Sequence, residues 1–214
     1  MATAAAGAVL GINPFDQPDV ESAKIVARSL METYEQSGSL PSEEPILTEG
    51  AVKVFTDPTN AGALKDAAGA GASAAALVKA HLSRIGAGDY FAINAYIEMI
   101  DAYDTDLQAM RNAVRNAKHA ATTVGYGPRF LHSTGQLHKG GPNNGVFLQI
   151  TSDDAEDLPI PGQKYTFGVL KAAQAQGDFA VLAERNRRIL RVHLGADVAS
   201  GLKQLRGWVE AALA

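Results

Sequence analysis

The chain contains no cysteine. That excludes disulfide staples, thiolate metal ligands and a cysteine nucleophile. No apolar run approaches the roughly 18 residues that a bilayer-spanning helix requires. The apolar stretch from Met1 to Gly11 has no basic residues ahead of it, so it reads poorly as a secretory leader. Positive charge is not in excess either. Lys and Arg number 19 against 23 Asp and Glu, a formal net charge of −4. The electrostatic footprint of nucleic-acid binding is therefore missing. No repeat with a period of roughly 20–50 residues is present. These absences point to a cytoplasmic chain with neither nucleic acid nor membrane as partner.

What is present is ordinary for a folded chain. Hydrophobic residues make up 46% and charged residues 20%, a balance that supports a packed core. A length of 214 residues allows one or two domains. Ala2 to Leu10 are helix formers with no start signal, like the tail of a longer helix. Asn13-Pro14 signals a turn, and Pro18 suits the first turn of a new helix. Val20, Ala23, Ala27, Leu30, Met31 and Tyr34 then recur at helical spacing to about Gln36. Residues 37–50 read as a linker, and 51–56 as a short strand.

In residues 61–76, 12 of 16 are Ala or Gly, which reads as a mobile low-complexity loop. Ser73 is a plausible cap for a helix to Ile85. Strands are expected at 89–97, 122–125, 146–151 and 189–194. Helices are expected at 104–121, 166–176, 179–186 and from Val198 to the C-terminus. Residues 127–144 are rich in Gly and polar groups and read as a loop. Alternating strands and helices argue for an α/β fold with a parallel sheet.

Two clusters can carry chemistry. The first is Phe15-Asp16-Gln17 followed by Lys24. Gln17 sits at a helix mouth, where free backbone N–H groups attract anions. The same residues also fit a helix cap and a solvated surface lysine. Gly7, Val9, Leu10, Phe15-Asp16-Gln17, Val20-Glu21 and Lys24 together resemble a signature of glucose-6-phosphate isomerases. It has about nine specified positions over 18 residues, with Asp19 standing where the family usually has Gly. The stretches GINPFDQPDVESAK and GYGPRFLHSTGQLHKGGPNNGVFLQIT are most similar to the C-terminal part of bifunctional transaldolase/glucose-6-phosphate isomerases.

The resemblance implies an aldose–ketose isomerase of glycolysis and gluconeogenesis that needs no cofactor. Glucose 6-phosphate and fructose 6-phosphate would interconvert by ring opening and proton transfer through an enediolate. Lys24 is implied in ring opening and Gln17 in holding the substrate. A lysine can stabilise charge developing on a ring oxygen without acting as a base. The family's proton-transferring glutamate and phosphate loop lie upstream of the signature. Residues 1–38 are thus expected to be the C-terminal helical segment of a phosphoglucose isomerase domain, and residues 46–214 an α/β, sugar-isomerase-like domain. The implied partners are the sugar phosphate and upstream isomerase or transaldolase domains, with a homo-oligomer left open. An isolated chain is expected to lack a complete site.

The second cluster is Arg129, His132, Thr134, Gln136, His138 and Lys139, followed by Gly140-Gly141-Pro142-Asn143. Arg129 and Lys139 suit a phosphate, with His138 as acid or base beside the glycines. An ordered structural loop with satisfied histidines is the alternative. His132 and His138 are six apart, which is not a helical metal spacing, so no metal is expected. Ser133-Thr134-Gly135 lacks the G-x-S-x-G elbow of a serine hydrolase. His193 alternates with Val192 and Leu194 in a strand and reads as structural. The rival to the isomerase is a non-catalytic module that holds a sugar phosphate or docks on a catalytic partner through its Ala-rich first helix.

Overall fold

In the computed structural model, residues 1–214 are described apart from the side chains of Phe130 and Ser133. Two strands organise the fold because their residues have no exposed face. β3 (Tyr90–Tyr96) and β5 (Gly145–Thr151) are buried almost throughout. They pair in parallel at the middle of a six-stranded sheet. β4 (Ala121–Tyr126) flanks β3, and β6 (Arg188–His193) flanks β5, both in parallel. β1 (Leu47–Glu49) and β2 (Val52–Phe55) form a hairpin, and β2 joins β6 antiparallel. The sheet is therefore mixed at one edge rather than wholly parallel. Gly50, with φ of 62°, allows the tight link between β1 and β2.

Helices cover both faces. α4 (Ala74–Ser83), α5 (Asp101–Lys118) and α8 (Val198–Leu213) pack on one face. Leu77, Leu107, Met110 and Leu205 meet Ile93, Leu148, Ile150 and Val192 there, each at most 3% exposed. α6 (His132–Gly140) and α7 (Phe167–Glu184) lie on the other, and α2 (Pro18–Ser37) packs against both of them. α1 (Ala2–Leu10) ends at Gly11 and is exposed apart from Gly7. Val20, Ala23, Ala27 and Met31 of α2 are buried. The helix assigned from sequence to a leading segment thus packs on α6 and α7 of this α/β unit.

Three expected breaks are helical. Within the Ala/Gly-rich stretch, α3 (Pro58–Ala68) is fixed by Asp57, which accepts from Thr59 and Asn60 N–H at 3.0 and 3.1 Å. Leu64 pins it by complete burial. The expected 127–144 loop contains a short 3₁₀ turn (Arg129–Leu131) and α6. The expected pair of helices after Thr166 is a single α7. The glycines in α6 and α7 serve close packing. A Cβ on Gly140 would lie 2.2 Å from Asp19 Oδ2, and one on Gly177 would lie 2.7 Å from the Ala23 carbonyl. α2 approaches both helices closely because these positions lack a side chain.

Candidate functional site

A cavity of about 390 Å³ opens where α2, α6 and α7 meet. α2 contributes Lys24 in its first half and Arg28 at its middle, with Glu32 and Glu35 nearer its end. Lys24 lies 3.4 Å from Glu21, and Arg28 donates to the same carboxylate at 2.6 Å. Two cations thus share one acid. Those hydrogen bonds hold the Glu21 carboxyl below its ordinary range. At 1.5 Å rise per residue, Lys24 and Glu35 are about 16 Å apart along the axis. One wall is therefore cationic at one end and acidic at the other.

The opposite wall carries Lys139 of α6 and Asp178 of α7, joined at 2.5 Å. Their side chains are 5% and 17% exposed. Tyr96, at the carboxyl end of β3, donates its hydroxyl to the same carboxylate. Burial, reinforced by that negative charge, raises the phenol pKa well above its ordinary value. His132 completes the rim.

The expected site residues divide between this cavity and other places. Lys24 and Lys139, 115 positions apart in sequence, line it together. Gln17 is exposed at the N-cap of α2 and makes no side-chain cap bond. Arg129 is exposed in the 3₁₀ turn, outside the lining. His138 is 4% exposed and faces the sheet. Its Nδ1 lies 2.9 Å from the Tyr90 hydroxyl, and its ring stacks on Tyr90 and meets Phe147 edge-on. Burial first, then the Lys139 charge, push its pKa down to about 4. The ring is neutral at pH 7. His132, not His138, reaches the cavity.

Asp19 fastens the helices around the cavity. Its N–H donates to Gln136 Oε1 at 3.0 Å, and Gln136 Nε2 donates to its carboxylate at 2.7 Å. Arg185 of α7 pairs with it at 2.9 Å.

A second cavity, of about 620 Å³, lies at the carboxyl ends of β5 and β6. Its β3–β5 side coincides with a feature of the topology. The chain leaves β3 toward β4 but leaves β5 toward β6, so the connections diverge between β3 and β5. Such a switch point leaves a crevice at the carboxyl ends of the strands. Tyr96, Thr151, His193 and Lys53 stand side by side across the sheet there. Alternating polar residues in β3, β5 and β6 carry this signal in the sequence, but only the pairing register puts them in one row. His193 Nδ1 lies 3.0 Å from Thr151 Oγ1, and Nε2 lies 3.2 Å from Asp153. Burial is the main cause of its lowered pKa.

Among the described residues, no group of three His, Cys, Asp or Glu is placed to hold a metal ion, and no helix is long and apolar enough to cross a membrane.

No family model matches the chain, and no curated protein matches it. Among solved structures it is similar to a hypothetical protein of Thermus thermophilus. The TM-score is 0.57 at 18% identity, over 74% of this chain and 45% of that one. The chain thus matches less than half the length of that protein. The likeness shows a shared α/β fold.

Proposed function

We propose that the chain is the C-terminal part of a glucose-6-phosphate isomerase and that the α2–α6–α7 cavity holds the sugar phosphate. The observation that carries this reading is the convergence of Lys24 and Lys139 on one polarised cavity. The isomerase signature supplies Lys24, and the second cluster supplies Lys139. A sugar phosphate has the matching asymmetry, with a dianion at one end and hydroxyls at the other. Lys24 and Arg28 take the phosphate end or the charge on an opening ring oxygen. Glu32 and Glu35 accept from hydroxyls. Lys24 supports ring opening electrostatically, since a fixed cation lowers the cost of a developing alkoxide. Gln17 and Arg129 stand outside the cavity, and His138 serves the core of α6.

A second reading, a non-catalytic module docking through α1, is favoured by one feature. Val9, Leu10, Ile12 and Phe15 are 58–87% exposed around the α1–α2 turn. Calorimetric titration with fructose 6-phosphate, beside a coupled isomerase assay, tests both readings. Saturable binding that weakens about tenfold in Lys24→Ala, the effect of one charge-assisted contact, is expected for the first. Binding indifferent to Lys24 contradicts it.

A further inference from the structure

The larger cavity is separate from the site just proposed, and nothing in the isomerase resemblance assigns it. We propose that this cavity, at the carboxyl ends of β5 and β6, binds a small uncharged polyol of monosaccharide size. The inference goes beyond the proposed function and does not rest on it.

The sheet itself marks the place. On the face toward α7, Asn94, Gln149 and Arg191 form one row, directly beneath the row of Tyr96, Thr151, His193 and Lys53. The next row down that face is apolar: Ala92, Phe147 and Ile189. Asn94, Gln149 and Arg191 are 4%, 0% and 4% exposed. Asn94 Oδ1 and Gln149 Oε1 have no hydrogen-bond partner within the chain. Buried polar groups cost stability, most of all when unpaired, so the row of Asn94, Gln149 and Arg191 has a reason other than cohesion. Gln149 donates to the Ala175 carbonyl at 2.9 Å, and both Ala175 and Arg191 line the cavity.

Charge selects the ligand. Asp154 pairs with Lys171, and Glu43 pairs with Arg191 at 2.8 Å. Asp157 is occupied by Thr166 Oγ1 and by the N–H groups of Leu158 and Gly168. With Asp153 and Lys53, the lining carries four carboxylates against three cations. Such walls repel a phosphate dianion. A bare cation is not favoured, because Asp154 and Glu43 are already paired with Lys171 and Arg191, and Asp157 is taken up by three donors. Apolar ligands would strand the paired charges without water.

Hydroxyl groups fit, because each can donate to a carboxylate and accept from a neighbouring ammonium or guanidinium. The ion pairs hold these groups in fixed positions, which lowers the ordering cost of binding. Arg191 is clamped between the rings of Phe55 and Phe179, 4.2 and 4.8 Å from their centroids. Tyr34 and Phe55 add apolar lining for the C–H side of a polyol.

Amide-resonance mapping of the full chain with sorbitol and with glucose tests the proposal, with inorganic phosphate as the competing probe. Saturable shifts at Ser152, Asp153, Lys171 and His193 are expected with both polyols, and phosphate should leave them unchanged. The Asp154→Asn/Lys171→Met double variant removes one partly exposed pair and keeps the net charge, so it should fold. It should weaken polyol binding about tenfold, as loss of charge-assisted hydrogen bonds does. Lys24→Ala should leave polyol binding intact, which separates this site from the sugar-phosphate cavity. Three results would each overturn the proposal: no saturable shift at those amides, phosphate binding there in place of the polyols, or unchanged affinity in a double variant that melts normally.

Discussion

The two faces of the sheet are built on opposite plans. Ala95, Ile150, Val192 and Val54 form one continuous row, all 0% exposed, under α4, α5 and α8. One residue along each strand, the opposite face presents Tyr96, Thr151, His193 and Lys53. Strand geometry sends successive side chains to opposite faces, so both rows come from the same four segments. The apolar face holds the fold together. The polar face gives up cohesion at its carboxyl edge, and both cavities lie on that side. Stability and binding chemistry are thus divided by the thickness of one sheet.

Acid should strain both faces at once, and by the largest amount. Each side buries one histidine. His81 of α4 is 1% exposed with Nε2 2.9 Å from the Phe147 carbonyl, and His138 lies on the other side. Burial pushes their pKa values down to about 3 and about 4, from an ordinary 6.5. Between those values and 6.5 the unfolded chain binds protons that the folded chain refuses. Their stabilising contribution is therefore complete above pH 6.5 and is lost as pH falls toward 4. The loss is on the order of 3 kcal/mol per histidine. Denaturant unfolding from pH 7 to 4.5 measures it, and both ring resonances should still be neutral at pH 5.

Truncating the apolar face comes next. Leu107→Ala, at a position 0% exposed, should cost about 3 kcal/mol by loss of buried methyls and cavity formation. A thermal melt checks the loss, and ligand affinity of the folded fraction should not change. A change in affinity would break the division between the faces.

On the polar face, Lys139→Met leaves Asp178 with the Tyr96 hydroxyl alone. Breaking the pair should cost about 2 kcal/mol, less than for fully buried ions because Asp178 keeps some exposure. Adding Asp178→Asn should recover part of that loss in the same unfolding measurement.

The smallest effect is expected at Asp19. Asp19→Gly introduces the residue usual in the resembled signature and keeps the backbone N–H bond to Gln136, but removes the carboxylate's bonds to Gln136 Nε2 and Arg185. It should cost about 1 kcal/mol, the scale of such hydrogen bonds, and speed amide exchange in α6.

Much of this was legible before the structure. Helical spacing located α2 and α8, and the Ser73 cap located α4. Apolar runs located β3, β5 and β6. The failures have a common origin. Gly135, Gly140 and Gly177 look like chain breakers in sequence, yet they are contact points where helices approach closely. The α6 backbone decides that His138 turns to the core and His132 to the cavity, and no local pattern distinguishes the two. The meeting of Lys24 with Lys139 is set by helix packing across 115 positions. The polar rows needed the strand register, which residue types alone do not contain.

Amide-resonance mapping with fructose 6-phosphate tests most directly whether the α2–α6–α7 cavity holds a sugar phosphate. Saturable shifts centred on Lys24, His132 and Lys139, lost in Lys24→Ala, are the expected result. Saturable shifts centred elsewhere, or none at millimolar ligand, would contradict it.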